Sequence, residues 1–441
     1  MFKTIINAWK IADLRKKMLF TALIVFIFRL GAALPVPFVN ISGGLISDQN
    51  ANNFMTYLSM MTGDAFNYGT LFAMSITPYI NASIIIELLT VAIPALERLA
   101  KEGEEGRKKI STITRYSSVV LALMQSTAYY FYIRSQNYLS LDADGNKFTG
   151  FFAVLQAITI IFCYTAGASL IMWLGEQINE KGIGNGISII LFAGIVSRMP
   201  TTLYSLYSYM DKGGAYYALA PIAFVSLILM IGFIVWMDNA ERRIPVQYAK
   251  RVVGRKMYGG QSTHIPIKVN MCGVLPIIFA SSILSLPPTI QMFVTVKEDG
   301  FWAGFFKIFE TTHWAYGIMY FVLIIFFAYF YAAIQYNPIE MANNIRKNSG
   351  AIPGIRPGKP TSDYITKILS RLTLLGALLL SVVALFPLLF SQITGAFHQL
   401  LGNSGLAIGG TSVIIVVGVA LETVRALESQ MMMRHYKGFL D

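Results

Sequence analysis

Side chains that commonly do chemistry are few in this chain, and their spacing supports no familiar reaction. His264, His313, His398 and His435 are scattered, and Cys163 and Cys272 fall in separate apolar segments. Neither a disulfide framework nor a metal cluster follows from that pattern. HExxH, GxSxG and Walker P-loop signatures are absent, and no cofactor is implied. Ionisable residues inside apolar stretches are functional suspects by default. Two stand out: Arg29 in IVFIFRLGAAL and Glu87 in IIIELL. Mid-span Arg29 also reads as a structural charge held by a carbonyl or a lipid phosphate. Glu87 either sits near an interface or faces a cavity. An ion-coupled carrier usually needs acidic residues or histidines near the midplane, and no such pair stands out.

The physics left to these segments is exclusion of water. Ile80 and Ile84 lie i, i+4 after Pro78 and share a helix face. Ile187 and Leu191 repeat that spacing in NGISIILFAG, Ile278 follows Pro276, and GGTSVIIVVG offers Ile414 and Ile415. A ring of such side chains around a pore makes a dewetting seal; lipid-facing or packing isoleucine is the plainer alternative. Thr90, Gln125, Ser281 and Ser282 interrupt apolar stretches. Hydrogen bonds between helices through such groups are worth about 1 kcal/mol, which suits a seam that opens as well as it suits ordinary helix packing.

These residues sit on membrane spans. Of 441 residues, 55% are hydrophobic and only 13% charged, with mean hydropathy +0.56; soluble domains carry about 25% charged residues. The expected fold is an all-α, polytopic membrane protein. Ten candidate spans lie near 19–38, 71–93, 113–133, 151–174, 185–205, 216–237, 271–294, 313–335, 370–391 and 407–427. The N-terminal MFKTIINAWKIADLRKKM mimics a signal peptide, but the following run is long enough to span and nine more follow, so it reads as the first span. Pro78 interrupts the second span, and TGDAFNYGT before it is too polar to cross. Non-helical backbone at membrane depth survives only inside protein or beside water. This region therefore lines a cavity, which points to transport.

The net charge of +12 is distributed unevenly. Lys3, Lys10, Arg15, Lys16 and Lys17 precede the first span; Arg98, Lys101, Arg107, Lys108 and Lys109 follow the second. The loop 238–270 carries Arg242, Arg243, Lys250, Arg251, Arg255, Lys256 and Lys268, and the loop 336–369 carries Arg346, Lys347, Arg356, Lys359 and Lys367. Residues 39–70 and 392–406 have no Lys or Arg, and the second set of loops and adjoining span ends carries only Arg134, Lys147, Arg198, Lys212, Lys297 and Lys307. The alternation places both termini in the cytoplasm. In 238–270, RRIPVQYAKRVV and STHIPIKV flank Gly259–Gly260 and predict a projecting hairpin, with Pro245 and Pro266 confined to edges or strand ends. AIPGIRPGKP fixes a turn around Arg356. Five spans per half, 1–212 and 213–441, permit an inverted pseudo-symmetry with a pore between the halves.

The segments TPYINASIIIELL, KEGEEGRKKI with TRY, GIGNGISII, QYAKR, GQSTHIPIKVNMCGVLPIIFASSI and PGIRPG with RLTLLGA, in this order, closely resemble the SecY family of protein-conducting translocon subunits over essentially the whole length. The resemblance implies ten helices in two inverted halves around an hourglass pore. It implies a constriction at Ile80, Ile84, Ile187, Leu191, Ile278 and Ile415, with Ile414 competing for the last place and Leu191 departing from the commoner isoleucine. A displaceable plug helix would occupy Gly63 to Phe72, including Asp64, Ala65, Phe66, Asn67, Tyr68, Gly69 and Thr70. A lateral gate between spans 2–3 and 7–8 would include Thr90, Gln125 and Ser282. Arg242, Arg243, Lys250, Arg251, Arg255, Lys256 and Arg356 would dock the ribosome or the ATPase SecA. SecE and SecG would be partner subunits in a bacterial cytoplasmic membrane, signal sequences and unfolded preproteins the clients, and lipid the exit for apolar segments. The implied chain is not itself an enzyme. A secondary transporter with a broken helix, or a lipid-acting membrane enzyme, is the rival reading; each lacks its required residues.

Overall fold

The computed structural model describes residues 2–41, 44–45, 59, 62–140, 150–211, 216–248, 251–253, 256–258, 262–291, 300–309, 313–397 and 410–437. A short helix α1 (Phe2–Lys10) precedes the first span, α2 (Ala12–Gly31). The second span is α3 (Thr77–Ala92), followed by α4 (Pro94–Lys101). Then come α5 (Glu104–Ser135), α6 (Phe151–Lys181), α7 (Gly186–Asp211) and α8 (Tyr216–Asn239). Four strands follow, β1 (Glu241–Tyr248), β2 (Arg251–Val253), β3 (Lys256–Tyr258) and β4 (Ser262–Lys268). The rest is α9 (Leu275–Gln291), α10 (Phe301–Ile308), α11 (Trp314–Gln335), α12 (Pro338–Lys347), β5 (Gly350–Ala351), α13 (Lys359–Phe397) and α14 (Gly410–Lys437).

Each expected span holds one helix; several helices, such as α5 and α13, run beyond the apolar stretch, and two ends are cut back at prolines. α2 stops at Gly31 rather than 38, because Pro35 and Pro37 follow, and Arg29 lies in its last turn rather than mid-span. α3 starts at Thr77 rather than 71, with Pro78 in its first turn, where a missing N–H costs no hydrogen bond. Pro94 ends it: Ile93 is extended, and α4 leaves at 100°. Among the described residues, Phe151–Lys181, Pro221–Asn239, Trp314–Lys347 and Lys359–Phe390 are long and apolar enough to cross on length and composition alone. Gly186–Thr201 and Leu275–Pro288 are apolar but shorter.

The packing repeats with a shift of five spans. In the first half α3 packs on α5, α5 on α6 and α6 on α7, with α2 against α6 and α7. In the second half α9 packs on α11, α11 on α13 and α13 on α14, with α8 against α13 and α14. This shared connectivity is the pseudo-symmetry that composition only permitted. Residues 212–215, between α7 and α8, lie outside the described residues. The halves join where α7 packs on α8 and α14. Across the molecule, packing from α3 and α5 to α9 and α11 is sparse.

The loops 238–270 and 336–369 build one unit. β1 and β4 pair antiparallel from Glu241↔Lys268 to Gln247↔Ser262, and β5 adds to β1 at Gln247 and Tyr248. β1 is thus the central strand, contrary to the edge expected for Pro245, yet β5 is too short to pair alongside that proline. Ile244, Val246, Ile267, Ile345, Ile352, Ile365 and Leu369 are buried together beneath the sheet. Asn337 caps α12 by accepting from the Ile339 and Glu340 amides. At the base, the Arg425 guanidinium of α14 lies 3.0 Å from the Asp238 carboxylate and also donates to Asn239.

Candidate functional site

Four helices from both halves bring the suspected isoleucines together. Ile80 and Ile84 of α3, Leu191 of α7 and Ile415 of α14 are buried in one apolar cluster, and Ile187 and Ile278 of α9 pack against it. Ile414 is as buried as Ile415, at 1% against 2% exposure, so burial does not choose between them. The placing of Ile187 depends on a close helix approach. A Cβ on Gly186 would stand 1.9 Å from the Gly175 carbonyl of α6. Asn179 accepts the Gly186 amide at 2.7 Å, and Asn185 caps α7 by accepting from Ile187 at 3.1 Å.

Residues 62–76 lead into that cluster as successive turns, not as the regular helix expected over 63–72. Gly63, Asp64, Gly69 and Ser75 have positive φ, which breaks any helical run. The segment is buried despite its polarity: Ala65, Phe66, Phe72 and Ile76 are each under 5% exposed. Its backbone carbonyls are claimed one by one. Arg29 donates to Gly63 at 3.1 Å and to Ser197 at 3.2 Å. Tyr129 donates to the Phe66 carbonyl and Tyr164 to that of Gly69 at 2.9 Å. Arg198 pairs with Asp64 at 3.4 Å and donates to Ser59 at 3.0 Å; Ser59 in turn donates to Asp64 at 2.7 Å. The Phe72 ring stacks on Phe28, 5.9 Å between centroids. Asn67 is half-buried and accepts from the Leu45 amide; Tyr68 is exposed. Thr70 donates to Ala65 within the segment.

Gly167 of α6 sets how closely the segment approaches, since a Cβ there would stand 2.2 Å from the Leu71 carbonyl oxygen. A backbone atom cannot swing aside like a side chain. Gly167→Ala is therefore expected to cost about 1–3 kcal/mol of overpacking. It should lower the thermal midpoint of the purified protein, and an unchanged midpoint would refute this close approach.

Among the polar residues that interrupt apolar stretches, several bond locally. Thr90 donates to Ile86 and Ser281 to Ile278, each within its own helix, and the Ser282 carbonyl accepts from Ser285. Gln125 is half-buried on α5. Between α3 and α11 a polar tie joins the halves: Tyr331 donates to Glu87 at 3.3 Å, and the other Glu87 oxygen is buried and unpartnered. On the sheet, Arg242 and Arg243 are exposed, and Arg243 pairs with Glu241 of its own strand. Arg251 and Lys256 fall in β2 and β3; Lys250, Arg255 and Gly259–Gly260 lie outside the described residues. Arg356 is exposed on a turn bounded by Gly354 and Gly358, whose φ values of +80° and +109° suit only glycine.

The family model SecY matches residues 70–424. A protein translocase subunit SecY of Streptomyces scabiei is 42% identical over 445 residues, covering 100% of both chains. The chain belongs to the SecY family. The same description applies to a Mycobacterium bovis relative, 42% identical over 455 residues with 100% of both chains covered. The fold is shared with a solved protein-conducting channel at TM-score 0.63 and 17% identity, covering 95% of this chain and 92% of that one. It is also shared with Sec61 in a canine ribosome–channel complex, at TM-score 0.58 and 14% identity, covering 95% and 92%. In this SecY-family chain the residues that fasten 62–76 went unread in the sequence. Arg198, Tyr129 and Tyr164 are spread over α7, α5 and α6. The available signal was Arg198 itself, an arginine on the face otherwise poor in basic residues.

Proposed function

We propose that this chain is the channel-forming subunit of a protein translocase in the bacterial cytoplasmic membrane, with both termini cytoplasmic. The observation that carries this reading is 42% identity over the full length of translocase subunits. Ile80, Ile84, Ile187, Leu191, Ile278 and Ile415 form the constriction, which fits around an extended polypeptide by contact alone and so tolerates any sequence. Residues Gly63 to Phe72 are the plug. Its displacement opens the passage, and all of its fastenings in α2, α5, α6 and α7 belong to one half. The sparse packing of α3 and α5 against α9 and α11 supports a lateral gate there, with Thr90, Gln125 and Ser282 along it and Glu87–Tyr331 as its polar tie. The joint at α7, α8 and α14 is the hinge. A signal sequence enters the gate by its apolar surface, the plug leaves, and sufficiently apolar segments exit sideways into lipid.

SecE and SecG are the proposed companion subunits, and SecA or the ribosome supplies the drive at the sheet unit through Arg242, Arg243, Lys250, Arg251, Arg255, Lys256 and Arg356. Arg356→Glu places a carboxylate where a docking cation stood. Because the residue is exposed, folding should be nearly unaffected, while SecA-dependent translocation is expected to fall roughly fivefold or more. Equal loss of thermal stability would instead assign Arg356 a structural role. The function itself is tested with proteoliposomes holding this chain, SecE and SecG, supplied with SecA, ATP and a signal-bearing precursor. ATP-dependent protection of the precursor from protease is expected. No protection despite verified insertion and partner binding would return a small-solute carrier to first place.

A further inference from the structure

The short helix α10 has no assigned role, and its surface is unusual for a connection between spans. Phe301, Trp302, Phe305 and Ile308 fall at i, i+1, i+4 and i+7 and so share one face. That face is bare: Phe301 is 82% and Trp302 61% exposed, with Phe305 and Ile308 also exposed. The other side holds the helix to the protein through buried Phe306, while Phe309 packs against the central cluster. Lys307 is exposed in the last turn. The helix contacts both of its neighbours in sequence, α9 and α11.

We propose that α10 is an interfacial helix seated in the lipid headgroup region of the leaflet opposite the termini, where it holds the outer ends of α9 and α11 at a fixed depth. This rests on the membrane-spanning fold and not on any role in translocation. Three observations choose lipid as the occupant. First, both spans that α10 contacts also expose apolar side chains, Leu286 and Ile290 of α9 and Ile318, Val322 and Phe326, spaced i, i+4, i+8, of α11. Second, aromatic rings collect at this level elsewhere: Phe151 and Phe152 start α6, Tyr207 is near the end of α7 and Tyr217 at the start of α8, and Trp314 starts α11, all well exposed. The tyrosine and tryptophan rings among them favour the membrane–water boundary. Third, the helix has 8 residues, about 12 Å, too short to cross a bilayer. The end amides and carbonyls that so short a helix cannot satisfy within itself call for water or headgroups. A helix with one apolar face and those end requirements is suited to the boundary plane, sunk about 5–10 Å.

The test compares the full chain with Trp302→Phe in proteoliposomes, taking the difference in tryptophan emission as the Trp302 signal. Phospholipids brominated near the headgroup or near the chain end act as depth probes, and iodide reports water. Shallow bromines should quench Trp302 more than deep ones, with iodide quenching weakly. Strong iodide quenching without any bromolipid effect would overturn the proposal by placing the helix in water. Protection from both would overturn it in favour of a covering protein, either a second copy or a companion subunit. Should Trp302→Phe fold poorly, Trp314→Phe subtracts the neighbouring ring instead. In that variant, what remains must keep the shallow-over-deep preference. Its disappearance would also overturn the assignment.

Discussion

Replacing Ile84 and Ile187 together by glycine is expected to raise the ion conductance of the resting channel in planar bilayers. The two side chains enter the central cluster from different helices of the first half, α3 and α7. Removing both opens volume at one level of the constriction and exposes helix backbone, so water no longer meets only hydrocarbon. Truncating a buried isoleucine costs about 2–5 kcal/mol, and glycine inside a helix adds roughly 0.5–1 kcal/mol. A leak could therefore reflect loosened folding. Ile85→Gly separates the two causes. Ile85 neighbours Ile84 on α3 but is exposed, at 44%, so it carries the same helix penalty away from the cluster. The double variant should leak and Ile85→Gly should not. Unchanged single-channel conductance in the double variant would sink the ring assignment.

Asp64→Asn is expected to loosen residues 62–76 by about one power of ten. Asp64 sits at φ +70°, which asparagine tolerates nearly as well. The substitution therefore removes the charge without remaking the turn. Hydrogen bonds to charged groups contribute about 1.5–3 kcal/mol. The Arg198 and Asp64 side chains are 22% and 24% exposed, so solvent screening brings the expected effect to the lower end, about 1.4 kcal/mol, or tenfold. Thr70→Cys provides the readout, since Thr70 is buried at 7% exposure and a thiol there reacts only when the segment moves. Reaction with a soluble maleimide should be about tenfold faster in the Asp64→Asn background. Arg198→Gln added to Asp64→Asn should accelerate it little further, because the pair is already broken. A rate unchanged by Asp64→Asn would mean that Arg29, Tyr129 and Tyr164 hold the segment without this pair.

Much of the fold is legible in the residues because bilayer rules are severe. Runs of about 20 apolar residues and the alternation of Lys and Arg between loops gave ten spans, and each holds one helix. The errors lie at prolines. Apolarity continues to 38 after α2 and begins at 71 before α3, while Pro35, Pro37 and Pro78 decide where helical hydrogen bonding stops and starts. The β1–β4 hairpin was readable from alternating Ile244 and Val246, but the third strand was not. Gly350–Ala351 carries no strand signal, and only the long-range approach of the second loop makes it one.

What the sequence determined by itself is the ten spanning helices, their order and the family, because helix formation in lipid depends on local composition and backbone satisfaction. What only the tertiary structure decided is which side chains meet. Ile84, Leu191 and Ile415 converge from α3, α7 and α14, although their positions spread from 84 to 415 along the chain. Arg198 reaches Ser59 from 139 positions away, and Tyr331 reaches Glu87 across 244. Spacing along one helix reports a shared face. It carries no information about the partner that face will find, because that is fixed by the packing of all ten spans at once.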